Sequence, residues 1–194
     1  LVEKPDVSQY RLASHLLTAL IIYSFLCFLF WNLYRHNYFN HFKEYIINER
    51  SVIELNISLL FVFLTITSGA FVAGTDAGSI YNNFPLMGKN FLPPEPFLLE
   101  PKWINFFENM PLIQFNHRIL ATLTGLIVLY TCIRNLKYFR NSLVGILLKC
   151  LLLLIIFQYI IGIITLKYAA PVLIGSMHQM GSIVILTILI IILS

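Results

Sequence analysis

Charged residues are scarce in this sequence. Only 11% of the 194 residues are Asp, Glu, Lys or Arg, whereas 58% are hydrophobic. A soluble domain of this size could not cover its surface with so few charges, so the composition excludes a water-soluble globular protein. The alternation of apolar and polar residues that is typical of strands is also missing. The composition therefore predicts an all-α membrane protein.

The sequence also lacks the spacings of cysteine-based metal or redox sites. Cys27, Cys132 and Cys150 lie in apolar runs without a CxxC motif, and we interpret them as small core residues. The formal net charge is only +4, and the basic residues form no long run with interleaved aromatics. This pattern excludes nucleic acid as a partner.

Long apolar runs dominate what remains. About 20 apolar residues cross the hydrocarbon core of a bilayer, and five segments qualify. They are residues 12–34, 52–74, 111–133, 143–166 and 172–193. The chain does not begin with methionine, and its first apolar run does not resemble a cleavable signal peptide. We therefore expect a further segment to precede it.

Basic residues predict the orientation of these spans. The connections after the first and third spans are short and basic, which assigns both to the cytoplasmic or matrix side. Their basic residues are Arg35, Lys43 and Arg50 in one and Arg134, Lys137 and Arg140 in the other. The opposite, outer side then receives the long, proline-rich connection of residues 75–110. We expect this connection to fold over the membrane face as a cap.

Three histidines share one depth near the outer face. His15, His117 and His178 each lie about 25 to 30 Å from the inner boundary, at a rise of about 1.5 Å per residue. Histidines inside a membrane usually face a bundle interior, a cavity or a cofactor. The alternative is a capping or interfacial histidine that is hydrogen-bonded to a loop carbonyl and has no role in binding. A metal site in a transporter is disfavoured, because no intramembrane carboxylate lies near their level.

A flat macrocycle would suit these histidines. Two imidazoles on facing helices can ligate haem iron inside a four-helix bundle. Small residues near them would leave room for it, although such residues also let membrane helices pack closely. Arg118 follows His117, and Arg11 lies one turn before His15. Their guanidinium groups suit haem propionates, and snorkelling to lipid headgroups is the alternative.

Other polar residues carry weaker expectations. His36 and His41 belong to the inner basic connection, and we expect them to be solvated. Glu54 and Asn56 are expected to contact neighbouring helices or headgroups. The first and fifth spans both begin with a histidine, which indicates a repeat and a similar bundle before this one.

Several segments, in this order, resemble one known family. They are VSQYRLASHL at 7–16, GAFVAGTDAG at 69–78, YNNFPLMG at 81–88, NFFEN and IQFNHRIL at 105–109 and 113–120, and SMHQMG at 176–181. Together they resemble mitochondrial-type heme A synthase and extend over nearly the whole chain. Members of that family are two fused four-helix bundles that oxidise a methyl group of heme O to the formyl group of heme A.

The resemblance implies a division of the chain and a set of site residues. Residues 1–51 would hold the final helix of a preceding bundle and the inner connection. Residues 52–194 would form a haem-binding four-helix bundle capped by residues 75–110. His117, His178 and Arg118 would hold a haem b cofactor, and His15 and Arg11 would bind the substrate heme O. The three histidines would be the iron ligands.

One departure from the family limits this interpretation. A glutamate three residues before the His-Arg pair of the first bundle is implicated in catalysis, and the corresponding residue here is Gln114, which cannot ionise. No catalytic residue is therefore assigned, and the chain alone would be an incomplete enzyme. The alternative is a non-catalytic bis-histidine b-haem module that serves electron transfer or assembly.

The resemblance also implies partners and a location. The partners would be membrane lipid, heme O and the amino-terminal bundle of the same enzyme, with heme O synthase, an electron donor and a second copy of the chain as further candidates. The role would be cytochrome c oxidase biogenesis. The location would be the mitochondrial inner membrane, with the histidines toward the intermembrane space; a bacterial plasma membrane is the second choice.

Overall fold

A computed structural model describes residues 8–38 and 48–194, without the side chains of residues 36–38. The side chain of His36 and the whole of His41 thus lie outside the described part of the chain, and so do the expectations for them. The helices are α1 (Gln9–Tyr38), α2 (Glu49–Gly74), α3 (Asn105–Glu108), α4 (Met110–Phe139), α5 (Leu143–Lys167) and α6 (Val172–Leu193). All except α3 are long and apolar enough to cross a membrane, which confirms the five predicted spans.

Capping side chains define where three of the long helices begin. Asn48 accepts a hydrogen bond from the backbone N–H of Ser51 and thereby caps α2. Asn109 caps α4 and Ser142 caps α5 in the same way. Such caps satisfy backbone donors that the first turn of a helix leaves without partners. The helices therefore begin at residues that hydropathy alone does not mark.

Four of the helices pack in a closed ring. α2 packs against α4, α4 against α5, α5 against α6, and α6 against α2. α4 and α6 are therefore diagonal to each other, as are α2 and α5. α1 lies outside the ring, in contact with α2 and α6. Leucine, isoleucine and valine side chains fill the interior, including Leu55, Val62, Val128, Leu148, Leu151, Leu186 and Leu189.

The three cysteines differ in their surroundings. Cys132 is buried in the apolar core, and Cys27 is half-buried and packs against that core. Cys150 is exposed on α5. The prediction that all three are core residues is therefore wrong for Cys150, because apolar surroundings in the sequence do not distinguish a side chain that faces lipid from one that faces the bundle.

Pairs of hydroxyl groups join α2 to α4 within the membrane. Ser58 Oγ lies 3.0 Å from Thr131 Oγ1, and Thr65 Oγ1 lies 2.6 Å from Thr124 Oγ1. The two α2 hydroxyls also donate to carbonyls of their own helix, one turn earlier. Each therefore has only its lone pairs left for α4. Interhelical bonds of this kind stabilise membrane helix pairs by about 0.6 kcal/mol on average.

An ion pair closes the inner end of the same interface. Glu54 on α2 lies 2.6 Å from Arg134 on α4 and accepts a hydrogen bond from Asn135 at 3.1 Å. This contact confirms the expectation that Glu54 meets a neighbouring helix. Asn56 instead donates to the carbonyl of Val52 in its own helix.

The connection of residues 75–110, here called the outer connection, is held together by buried asparagines. Asn105 is fully buried and bonds the backbone of Leu99 through both N–H and C=O, and the carbonyl of Lys102. Asn109 donates to the carbonyl of Glu95 and to the side chain of Asn105. These bonds replace the regular backbone pairing that the connection lacks. The segment is consequently a folded structure with its own hydrogen-bond network.

The connection also packs on the outer ends of the helices. Asn82 donates to the carbonyl of Leu166 at the end of α5. The ring of Phe84 packs edge-on against Tyr159 of α5, with centroids 6.3 Å apart. Gly78 lies so close to Ala170, in the turn between α5 and α6, that an added Cβ would stand 3.0 Å from the alanine Cβ. The connection therefore rests directly on the end of the ring that carries the histidines.

Candidate functional site

His117 lies near the outer end of α4, seven residues after its first residue. Its Nδ1 is 2.7 Å from Oγ of Ser68 on α2. Gly69 lies beside the ring, since a Cβ added there would stand 3.3 Å from Cε1 of His117. Among the residues that the structure describes, no hydrogen bond occupies Nε2. This nitrogen therefore remains free to bind another group.

His178 lies at the matching place on α6, six residues after its first residue. Gly162 of α5 lies beside this ring, where an added Cβ would stand 2.9 Å from Cε1. Nδ1 is buried without a hydrogen-bond partner, although the backbone of Gln158 is close by. The side chain of Gln158 donates to the backbone carbonyl of His178 at 2.6 Å and so holds α6 against α5.

The two histidines form a pair across the ring of helices. They lie on the diagonal helices α4 and α6, each near the end of its helix that meets the outer connection. Each is flanked by a glycine of a different neighbouring helix, Gly69 or Gly162. Neither ring bonds a loop carbonyl, which disfavours the interpretation as capping histidines. Such a pair could provide two nitrogen ligands to a haem iron.

Space below His117 is visible at Gly125. This residue is buried on α4, two turns after His117, yet an added Cβ would meet no atom within 4 Å. A buried position with no neighbouring atom indicates a gap in the packing. The gap lies two turns along α4 from His117 and about 80° around the helix from it, because successive residues of an α-helix are about 100° apart.

A compact metal site is not present among the described residues. Within residues 8–38 and 48–194, no three His, Cys, Asp or Glu side chains converge as they would around a bound metal ion. The three predicted histidines therefore do not form one common metal centre. Axial ligation of a macrocycle needs only two residues, so this finding leaves the His117–His178 pair open as haem ligands.

Arg118 is held by the outer connection. Its guanidinium donates to the backbone carbonyls of Tyr81, Asn83 and Leu86 and to the side chain of Gln114. Nε is buried without a partner. None of the ion pairs within the described part of the chain involves Arg118. Its positive charge is thus surrounded by carbonyls and has no carboxylate to neutralise it.

Gln114 has a structural role at this point. The side chain is buried, donates to the carbonyl of Tyr81 at 3.1 Å, and accepts from Arg118. It therefore ties α4 to the outer connection one turn before His117. An amide is well suited to this position because it can donate and accept at once, whereas a carboxylate could only accept.

His15 and Arg11 lie apart from this pair. Both are exposed on α1, and they begin a stripe of exposed residues at helical spacing that continues with Ile22, Phe25, Leu29 and Leu33. The buried residues of α1, Ala13 and Leu20, are on its other side. His15 therefore points away from the ring of helices and does not join His117 and His178.

Sequence reasoning missed two residues that contact the histidines. Ser68 immediately precedes Gly69, and Gln158 lies one turn before Gly162. A serine or glutamine inside an apolar run is the only signal in the sequence, and it does not say which residue of another helix is the partner. That information depends on how α2 packs against α4 and α5 against α6.

Comparison with known proteins identifies the family of this chain. The family model described as cytochrome oxidase assembly protein, COX15-CtaA, matches residues 1–190. The heme A synthase of Wolbachia sp. subsp. Brugia malayi is 40% identical over 185 residues, which cover 95% of this chain and 52% of that protein. No solved structure matches the chain.

Animal relatives are similar to a comparable degree. Heme A synthase COX15 of Bos taurus is 38% identical and is matched over 97% of this chain and 46% of its own length. The corresponding values for COX15 of Homo sapiens are 38%, 94% and 44%. The chain spans about half the length of the curated relatives it matches. The predicted resemblance is confirmed, and the chain belongs to the COX15-CtaA family of cytochrome oxidase assembly proteins.

Proposed function

We propose that this chain is the carboxy-terminal half of a heme A synthase and carries its haem b cofactor between His117 and His178. The observation that carries the proposal is the imidazole pair on diagonal helices, in which neither Nε2 has a protein partner among the described residues. The relatives' names support the activity. The complete enzyme would oxidise the heme O methyl group to the formyl group of heme A.

The residues present fit a haem group in three respects. The buried Nδ1 of His178 lacks a partner among the described residues, so no hydrogen bond keeps the ring from turning toward a bound group. The gap beside Gly125 offers space on the same helix as His117, two turns from it. The unneutralised charge of Arg118 suits a propionate carboxylate. When bound, the haem would supply one-electron transfer.

The chain's own residues would bind and shield that group. His117 and His178 would supply nitrogen ligands from opposite helices, and the surrounding apolar side chains would exclude water. Arg118 would fix the propionate edge beneath the outer connection, whose carbonyls already position its guanidinium. The amide of Gln114, one turn before His117, cannot take up a proton and so cannot act as a general base beside the pair. We therefore assign His117 and His178 a role in binding only.

His15 and Arg11 would serve the substrate haem. Their exposure on the outward stripe of α1 suits a site shared with a preceding bundle, because they point away from the ring of helices. Heme O and that bundle would therefore meet at α1. We also propose a mitochondrial inner membrane location with the histidines toward the intermembrane space, and a bacterial plasma membrane for a bacterial source.

A non-catalytic haem module is the second candidate. It is favoured by Gln114, which stands where the first bundle of the family has its glutamate and is fully engaged in holding the outer connection. In this case the pair of histidines would transfer electrons or support assembly, and heme O would not be a substrate.

Haem analysis of the purified full-length protein tests the proposal. We expect an absorption spectrum of low-spin haem b and, on extraction, haem b together with heme O or heme A. Extraction of haem b alone, with no conversion of added heme O, would favour the non-catalytic module. A folded sample without any haem would overturn both candidates.

Replacing His15 with alanine should separate the two haem sites. Because His15 is exposed and remote from the pair, we expect the haem b spectrum to be retained in the full-length protein. Heme A formation should fall by at least about tenfold, because loss of a ligand costs no less than loss of an outer contact to a metal site. The measurement is haem content by spectrum alongside heme A by chromatography. Loss of the resident haem b would instead place His15 in the cofactor site.

Glycine substitutions test the packing beside His178. In Gly162→Ala the new Cβ would stand 2.9 Å from the imidazole, so the ring must move away from its position. We expect reduced haem b content and a lower thermal midpoint. Gly175→Ala on α6 is the matched control, since its Cβ would meet nothing within 4 Å. It should retain haem and gain up to about 1 kcal/mol of helix stability. Equal haem content in the two variants would contradict this assignment.

A further inference from the structure

Ser68 makes two contacts with a single proton. Its Oγ lies 2.8 Å from the backbone carbonyl of Thr65 and 2.7 Å from Nδ1 of His117. A carbonyl can only accept, so the contact with Thr65 uses the hydroxyl proton. The contact with His117 can then be a hydrogen bond only if Nδ1 carries a proton and donates it to Oγ.

The opposite assignment leaves one contact unsatisfied. If Nδ1 were unprotonated, Ser68 would have to donate to the ring, and Oγ and the Thr65 carbonyl would face each other as two acceptors. Inside an apolar bundle a lost hydrogen bond is not replaced by water. The first assignment satisfies both contacts and is therefore favoured.

Ser58, on the same helix, uses its hydroxyl proton in the same way. It donates to the carbonyl of Glu54, so its contact with Thr131 of α4 needs the threonine as donor. His117 thus occupies, on α4, the place that a donating hydroxyl occupies nearer the inner end. This matching contact along one interface supports the direction of the bond at Ser68.

We propose that Ser68 is a positioning residue that keeps the proton of His117 on Nδ1 and leaves the lone pair of Nε2 available for iron. This inference rests on the proposed function of His117 as a haem ligand. A hydrogen bond from the second ring nitrogen fixes the orientation of a ligating imidazole and raises its basicity. A more basic ligand stabilises ferric iron, so Ser68 also lowers the reduction potential of the haem.

The test compares three variants in the full-length protein. Ser68→Ala removes the hydroxyl, Ser68→Thr retains it, and Thr67→Ala removes a neighbouring hydroxyl that donates only to the carbonyl of Phe63. Haem affinity is measured by transfer to a haem-free globin, and reduction potential by spectroelectrochemical titration. We expect Ser68→Ala to weaken haem retention about 10- to 100-fold and to raise the potential.

The outcomes separate this inference from the proposed function. The positioning role is supported if the reduction potential rises in Ser68→Ala but not in Ser68→Thr or Thr67→Ala. Equal affinity and potential in Ser68→Ala and Thr67→Ala, with haem b present in all variants, would overturn the role of Ser68 and leave the haem site intact.

A haem-independent measurement covers the case of an unstable variant. Nitrogen NMR of histidine-labelled, haem-free wild-type protein should show His117 protonated at Nδ1, with its signal assigned by its loss in His117→Gln. A proton on Nε2 would overturn the inference, whatever the variants do.

Discussion

Replacing either His117 or His178 with alanine is expected to abolish the low-spin bis-imidazole haem spectrum of the full-length protein. His117 and His178 would each supply one nitrogen ligand, and the methyl group of an alanine has no lone pair to replace it. No third histidine of the described residues is close enough to substitute, since His15 faces away from the ring of helices. The effect should be complete in both variants.

The control for this experiment is His15→Ala, which should retain the spectrum. The measurement is the reduced-minus-oxidised difference spectrum, together with extracted haem per protein. If either pair variant keeps an unchanged spectrum, that histidine is not a ligand. If both do, the diagonal pair is not the haem site.

Replacing Asn105 with alanine is expected to give the largest loss of stability outside the membrane. The side chain is fully buried and bonds the N–H and C=O of Leu99 and the carbonyl of Lys102. Each buried group left without a partner costs about 1 to 3 kcal/mol. The outer connection should therefore lose about 3 kcal/mol or more and open locally, and Arg118 would lose the carbonyls that hold it.

Limited proteolysis of the connection and the thermal midpoint in detergent measure this effect. Asn83→Ala is the matched control, because the side chain of that exposed asparagine makes a single long bond of 3.4 Å to the carbonyl of Gly88. Its effect should stay within about 0.5 kcal/mol, as for other surface changes. A similar response of the two variants would show that Asn105 does not organise the connection.

The five spans could be predicted from the sequence because lipid imposes a simple requirement on length and hydropathy. Helix ends could not. α2 begins at Glu49, where Asn48 caps it, and α4 continues to Phe139, beyond the apolar run. Capping bonds and water at the membrane boundary determine where the helices end, and the hydropathy of the sequence records neither of them.

The candidate site was predictable only in part. The common depth of the histidines follows from counting residues along helices. Which helices are diagonal depends on packing, and so does the choice of His117 and His178 as neighbours. The contacts of Arg118 depend on the fold of the outer connection, which has no periodic pattern to read. The conformation of such an irregular segment is determined by individual hydrogen bonds, such as those of Asn105.

The direction of the hydroxyl bonds between α2 and α4 has a consequence for biosynthesis. α2 emerges from the ribosome well before α4, and until then it has no partner for Ser58, Thr65 and Ser68. Their protons are already donated within α2, so these three hydroxyls enter the bilayer without an unsatisfied donor. Within the described residues, Thr131 and Thr124 make no such bond in α4 and arrive as donors. Insertion of α2 therefore need not wait for the helix that completes the site.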